Sequence, residues 1–391
     1  MLFPLAAAAA LPFRVPISAG GSTANLLVPL YVVVAAGALS YAVPRLLGRQ
    51  TPPEHQAGWL ERLLALAVVA YAVQAAYSSD FDKALESTVF FYVPFAVLFV
   101  LLCRVPWTPR LALQSLGVLT ALAVAFVGIG FVEYATRHLL LNPKVIASNQ
   151  FESYFRVNSL FFDPNIYGRF LAVVMLGIAA ILLWARRPRE VAGAAALLAL
   201  LWAGLLLTLS QSSFAALLLG LAALAALRWN ARRTLVIAGA VVAVGAALAV
   251  GSIDLADGES VDDATSGRVE LIEGGLGLFG DAPAAGHGSG SFSREFRRAE
   301  NASGEQAVSA SHTIPVTVAA EQGTGGLLLY LALVGLALAR LFGGAGRCAA
   351  RAGVAAAFAA LVLHTLVYAA FLEDPLAWAL LGVGVALARR P

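Results

Sequence analysis

The stretch FFDPNIYGRFLAVVMLGIAAILLW, residues 161–184, decides how this chain is read. Asp163 and Pro164 carry the chemistry of a helix start. A short acidic side chain accepts from first-turn amides, and proline loses nothing where its missing N–H would have no partner. About twenty mostly apolar positions follow, enough helix to cross a hydrocarbon layer about 30 Å thick. One residue departs from the pattern. Arg169 lies about a turn and a half inside this span, where a guanidinium is expensive and faces a cavity or a partner.

The rest of the chain extends the same reading. Of 391 residues, 60% are hydrophobic and 13% charged, and the mean hydropathy of +0.81 lies well outside the range of soluble domains. The expectation is an all-α polytopic membrane protein, a single integral membrane domain over residues 1–391. About twelve spans are expected, at 2–13, 23–44, 58–78, 85–103, 111–132, 163–184, 190–209, 212–227, 234–251, 323–341, 352–371 and 375–388. The N-terminal MLFPLAAAAALPFRVP has no basic n-region and a poor cleavage site, so it reads as a retained first membrane segment. The net charge of +3 is small and scattered, which argues against nucleic acid as a partner. Cys103 and Cys348 stand alone, with no metal or redox spacing.

Arginines orient the bundle. Arg45, Arg104, Arg110, Arg186, Arg187, Arg228, Arg233, Arg340, Arg347, Arg351 and Arg389 fall in short connections on one side. By the positive-inside rule that side is cytoplasmic, and the even span count puts both termini there. Two long segments then lie outside, a first loop at 133–162 and a large loop at 252–312.

These outer segments concentrate the candidate chemistry. Arg156, Asn165 and Arg169 are not explained by helix capping and are candidate contacts to a phosphorylated ligand, since a guanidinium fork binds phosphate oxygens in pairs. For Arg169 the alternative is a structural ion pair with Asp163 or Glu133. TSGRVELIEGGLGLFGDAPAAGHGSGSF, residues 265–292, sets Arg268 at a turn ahead of a glycine-rich loop. It contains neither the Gly-Lys-Ser/Thr of a nucleotide-binding loop nor a GxSxG elbow. Asp80 and Asp82 read as a helix cap and solvated turn, or as a metal pair needing further ligands. Zinc has no HExxH or Cys/His cluster to bind it. His312, with Glu321 nine residues on, reads either as an interfacial anchor or as a base acting on a hydroxyl substrate.

RVNSLFFDPNIYGRFL (156–171), LTLSQSSFAALLLG (207–220), the SGR…LFGDAPAAGHGSGSF segment and the SHT…EQGTGGLLLYL segment, in that order, resemble the bacterial O-antigen ligase and polymerase superfamily. The resemblance covers roughly residues 150 to 390. It implies an inverting membrane glycosyltransferase of the GT-C type, working on the outer face without cofactor or metal. The implied donor is an undecaprenyl-diphosphate-linked glycan, and the acceptor a glycan or lipid-linked glycan hydroxyl, all within membrane lipid. Arg268 matches the family's essential loop arginine and His312 its loop histidine. Ligases commonly carry an arginine where this chain has Gln211, so either Arg156 or Arg169 takes over that contact to the pyrophosphate or the donor is held differently. Arg156 to Gly168 and Arg268 to Gly280 share one spacing, as the paired loop motifs of polymerases do. The expected mechanism is displacement at the anomeric carbon. Arg268, Arg169 and Arg156 neutralise the leaving diphosphate, His312 orients or deprotonates the acceptor, and Glu321 supports it. Gln211 and the lysine-poor composition lean toward polymerase. The competing reading is a lipid-glycan flippase, which would be expected to hold its ionisable residues near mid-membrane on broken helices.

Overall fold

The computed structural model describes residues 2–19, 22–48, 57–141, 155–229, 268–299, 313–368 and 371–389. A short helix α1 (Leu2–Ala10) leads into an antiparallel hairpin of β1 (Val15–Ala19) and β2 (Ser22–Leu26), with Val15 opposite Leu26. Then come α2 (Val28–Leu46) and α3 (Trp59–Gln74), which tightens into a 3₁₀ turn at Ala75–Tyr77. The next helix α4 (Phe81–Ser87) widens into a π turn over Thr88–Tyr92 before α5 (Val93–Arg104). Pro94, which has no N–H to donate, opens α5 directly after that turn. Long helices follow: α6 (Pro109–Thr136), α7 (Pro164–Trp184), α8 (Pro188–Thr208) and α9 (Gln211–Arg228). The chain continues with α10 (Arg268–Asp281), α11 (Phe292–Ala299), α12 (Ile314–Phe342), α13 (Ala349–Val367) and α14 (Pro375–Ala388).

Among the described residues, nine helices are long and apolar enough to cross a membrane. They correspond to nine of the expected spans, while the span expected at 234–251 lies outside the described residues. Three expectations need correction. At nine residues, α1 is only about 14 Å long, too short to cross the hydrocarbon. Residues 23–26 belong to β2, so the second span begins later, at Val28. The span expected from 323 already starts at Ile314 and bends at Gly323, whose φ of 65° interrupts the helix. At 14 residues, α14 is short, yet most of it is buried.

Helix starts follow the local chemistry of the sequence. Proline stands in the first turn of α6, α7, α8, α12 and α14. Thr108, Asp163 and Asp374 cap α6, α7 and α14 by accepting from Leu111, Asn165 and Leu376 amides. Proline cannot cap by itself, so these side chains supply the missing acceptors.

The centre of the bundle is α7, apolar around its circumference and buried along most of its length. It packs against α6, α8, α9 and α13. Lipid tails are as apolar as leucine, so close approach rather than water exclusion must hold such helices together. Small residues provide it. Ala352, Ala356 and Ala360 form a fully buried stripe on α13, and Gly168 of α7 stands so near α9 that a Cβ would lie 2.6 Å from Ser213 Oγ. A second core joins α5, α12, α13 and α14 through Phe95, Phe99, Tyr330, Phe358, Phe371 and Trp378. Val32, Leu39, Leu66, Val69, Val73, Leu113 and Val132 point outward, as lipid-facing side chains do.

The segment expected as a turn and glycine-rich loop is partly helical. Gly274, Gly275, Gly277 and Gly280 lie within α10, and the loop proper is 282–291. Here the glycines serve packing: a Cβ on Gly274 would sit 2.4 Å from Phe296, and one on Gly275 2.6 Å from Val316.

Candidate functional site

At one end of the bundle the starts of α7 and α14 meet the chain leaving α1. Arg169 reaches α7's second turn and is 2% exposed. Its Nη2 stands 3.0 Å from Asp374 Oδ2. Asp374 has a second task, since its Oδ1 accepts from Leu376 N at 2.9 Å and caps α14. The alternative partners expected for Arg169 are engaged elsewhere: Asp163 caps α7, and Glu133 accepts from Leu140 and Ser159 amides. So Arg169 does have a carboxylate partner, supplied by the far end of the chain.

That pairing leaves charge available. Arg169 Nε and Nη1 are buried without a hydrogen-bond partner among the described residues. A cleft beside them is lined by Arg14, Arg169 and Asp374 together with Phe161, Phe170 and Leu376. Burial pushes the Arg14 guanidinium below its ordinary pKa; Asp374 opposes that shift and Arg169 adds to it. Among the described residues lining the cleft, two cations face the Asp374 carboxylate, with Glu373 also acting on Arg14, and the Arg169 guanidinium lies 5.9 Å from the Tyr368 ring centroid. Ordinary folding gains little from a buried ion pair, whose desolvation offsets its attraction.

A second network adjoins the first. Arg156 donates through Nε to Thr208 O at 3.0 Å and through Nη2 to Asn165 Oδ1 at 3.3 Å. Ser210, the N-cap of α9, donates to the same Asn165 oxygen at 2.8 Å. Behind it, Ser212 Oγ and Ser213 Oγ stand 3.1 and 3.3 Å from His364 Nε2, which is buried on α13. Gln211 is exposed at the first turn of α9. The structure thus brings Arg156 and Asn165 together with the α8–α9 corner, and sets Arg169 one turn deeper on α7.

The large loop contributes a third part. Arg268 opens α10, and His312 lies outside the described residues. Its chain neighbour Thr313 stands at the N-cap position of α12 without a side-chain capping bond and instead donates from Oγ1 to Leu366 O at 2.9 Å, at the end of α13. Glu321 is 7% exposed, with Oε2 accepting from Gly290 N at 2.9 Å and Oε1 from Phe292 N at 3.2 Å. Asp80 caps α4 and pairs with Arg294 at 3.4 Å. Among the described residues, no three His, Cys, Asp or Glu side chains are grouped as metal ligands.

Sequence reasoning missed Arg14, Asp374 and His364. One signal was available for Asp374: Asp374-Pro375 repeats the cap-and-proline dipeptide of Asp163-Pro164, marking a helix start at the same level. Arg14 and His364 had no local signature beyond being polar within apolar surroundings.

Comparison with known proteins gives one family. Residues 196–331 match the family model described as O-antigen ligase, a segment that includes Gln211, Arg268, His312 and Glu321 but stops short of Arg156, Asn165 and Arg169. No curated protein matches the chain. The family match over residues 196–331, set in a bundle of apolar helices, supports the O-antigen ligase and polymerase superfamily for this multi-pass membrane protein.

Proposed function

We propose that the protein is an inverting glycosyltransferase. It would transfer or polymerise a glycan from an undecaprenyl-diphosphate-linked donor onto a sugar hydroxyl, on the outer face of the bacterial plasma membrane and with the C-terminus cytoplasmic; because α1 is too short to cross, the even span count that put the N-terminus there as well does not hold. The observation that carries this reading is the buried Arg169, with two guanidinium nitrogens that have no hydrogen-bond partner among the described residues, in a cleft shared with Arg14. A buried cation with spare donors suits an anion that arrives and leaves, such as a lipid diphosphate.

In the proposed step the acceptor oxygen attacks the anomeric carbon, and the bond from that carbon to the diphosphate breaks. The electron pair leaves with the diphosphate, and the acceptor proton passes to His312. Arg268, Arg169 and Arg156 neutralise the charge that develops on the leaving group, the kind of fixed electrostatic term that dominates many enzymes. Arg156, held by Thr208 and Asn165, stands at the corner where ligases carry the arginine replaced here by Gln211. That replacement favours polymerisation over ligation. Sidedness is supported by the arginines at the opposite end of the bundle, among them Arg104, Arg228, Arg347 and Arg389. A flippase is disfavoured because the polar networks gather at helix ends rather than at mid-membrane.

The test is a product assay on purified protein with a lipid-linked glycan donor, run with chelator present. A lengthened glycan from donor alone is expected, with Arg268→Ala and His312→Ala each lowering turnover by about 100-fold or more. Undiminished product from both variants, or transport without a new glycosidic bond, overturns the proposal.

A further inference from the structure

Residues 282–291 have no regular secondary structure, yet they are fastened on two sides. Toward α12, His287 N donates to Ala320 O at 3.0 Å, Gly288 N to Glu321 O at 2.8 Å, and Thr324 N to Pro283 O at 2.8 Å. Toward α3, Ser79 N donates to His287 O at 3.3 Å, Ser78 Oγ to Ser289 O at 2.7 Å, and Ser289 Oγ to Tyr71 O at 2.7 Å. The approach is close enough to require glycine. Gly288 has φ +93°, and a Cβ there would meet the Ser78 backbone at 2.3 Å; Gly323 has φ +65° and would meet Ala284 O at 2.6 Å.

The Glu321 carboxylate closes this assembly. Its two oxygens accept from Gly290 N and Phe292 N, amides at the end of the loop and the start of α11. A carboxylate holding two main-chain amides fixes backbone and has little freedom to move a substrate proton. The fastening also sets a register. Thr324 of α12 meets Pro283, just past the end of α10, while Val316 lies beside Gly275. The two helices therefore run parallel, and α10's first residue, Arg268, lies past the start of α12, which the chain enters just after His312.

We propose that Glu321 is a positioning residue, a latch that fixes α10 and its loop against the bend of α12 and so sets where the start of α10 stands relative to the start of α12. The latch itself rests on the geometry, while its effect on turnover rests on the glycosyltransferase reading above. Glutamine in place of Glu321 keeps the shape but offers one acceptor oxygen and turns an NH₂ donor toward an amide N–H. Aspartate keeps both acceptors on a shorter arm.

Hydrogen–deuterium exchange of the full chain in lipid nanodiscs, read on peptides spanning 286–292, tests the latch without any substrate. Exchange about tenfold or more faster in Glu321→Gln than in the native protein is expected, consistent with the loss of a charge-assisted bond. In Glu321→Asp both protection and turnover return in part and in step, and His312→Ala leaves loop exchange unchanged. Should Glu321→Gln fail to accumulate, the native-to-aspartate comparison carries the same reading. Native protection in Glu321→Gln accompanied by lost turnover would make Glu321 a chemical participant and overturn the latch. A loosened loop with full turnover would overturn its positioning role. If the native protein forms no glycosidic bond, the glycosyltransferase reading and the positioning role fall with it, whereas the exchange result still decides whether the fastening exists.

Discussion

Arg169 and Asp374 stand 3.0 Å apart with both side chains 3% exposed, so neither charge has water to fall back on. Removing one member of such a pair leaves the other uncompensated, at a cost of about 3–5 kcal/mol. Asp374→Ala loses the cap of α14 as well, whereas Asp374→Asn keeps an acceptor for Leu376 N and loses only the charge. Thermal unfolding in detergent should therefore rank the native protein above Asp374→Asn, and Asp374→Ala lowest. Equal midpoints for all three would mean that Arg169 finds another partner. The identity of Asp374 as that partner was not legible locally. Asp163, six residues before Arg169, was the nearer candidate, but capping geometry turns its carboxylate back onto Asn165 N.

Helix starts at the site do more than terminate spans. Ser210 caps α9 and in the same position donates to Asn165, which receives Arg156. Thr108 caps α6 with no such connection. Each alanine substitution should cost about 0.5–2 kcal/mol of stability. Only Ser210→Ala is expected also to lower glycan transfer, because it releases Asn165 and with it the Arg156 anchor. Matched stability losses with unequal turnover would support that difference, and equal turnover in the two variants would remove the network from the site. The serines, Asn165 and Arg156 were all visible in the sequence, but their convergence was not. It depends on Gly168 allowing α7 and α9 to approach to within a side chain's width.

For the whole molecule the testable quantity is sidedness. Cys348 is exposed near Arg347 and Arg351, at the end opposite the Asp163 and Asp374 caps. Ala285 lies on the exposed part of the glycine loop. A membrane-impermeant maleimide should label Ala285→Cys on intact spheroplasts and reach Cys348 only after permeabilisation. The reverse pattern would invert the proposed topology and put the cleft on the cytoplasmic side.

The sequence alone determined that this chain is a bundle of apolar helices and where most of them start. Runs of about twenty apolar residues and first-turn prolines are local facts that no partner can override in a bilayer. It failed where local pattern was ambiguous: at residues 23–26, read as the start of the second span but belonging to the hairpin of residues 15–26, and at the glycines of α10, which read as a loop but serve as contact surface for Phe292, Phe296 and Val316. Only the tertiary structure decided which carboxylate faces Arg169, that Arg14 shares its cleft, and that Glu321 grips backbone amides. Those outcomes depend on which helix ends meet, and that is set by the packing of small residues between segments distant in the chain.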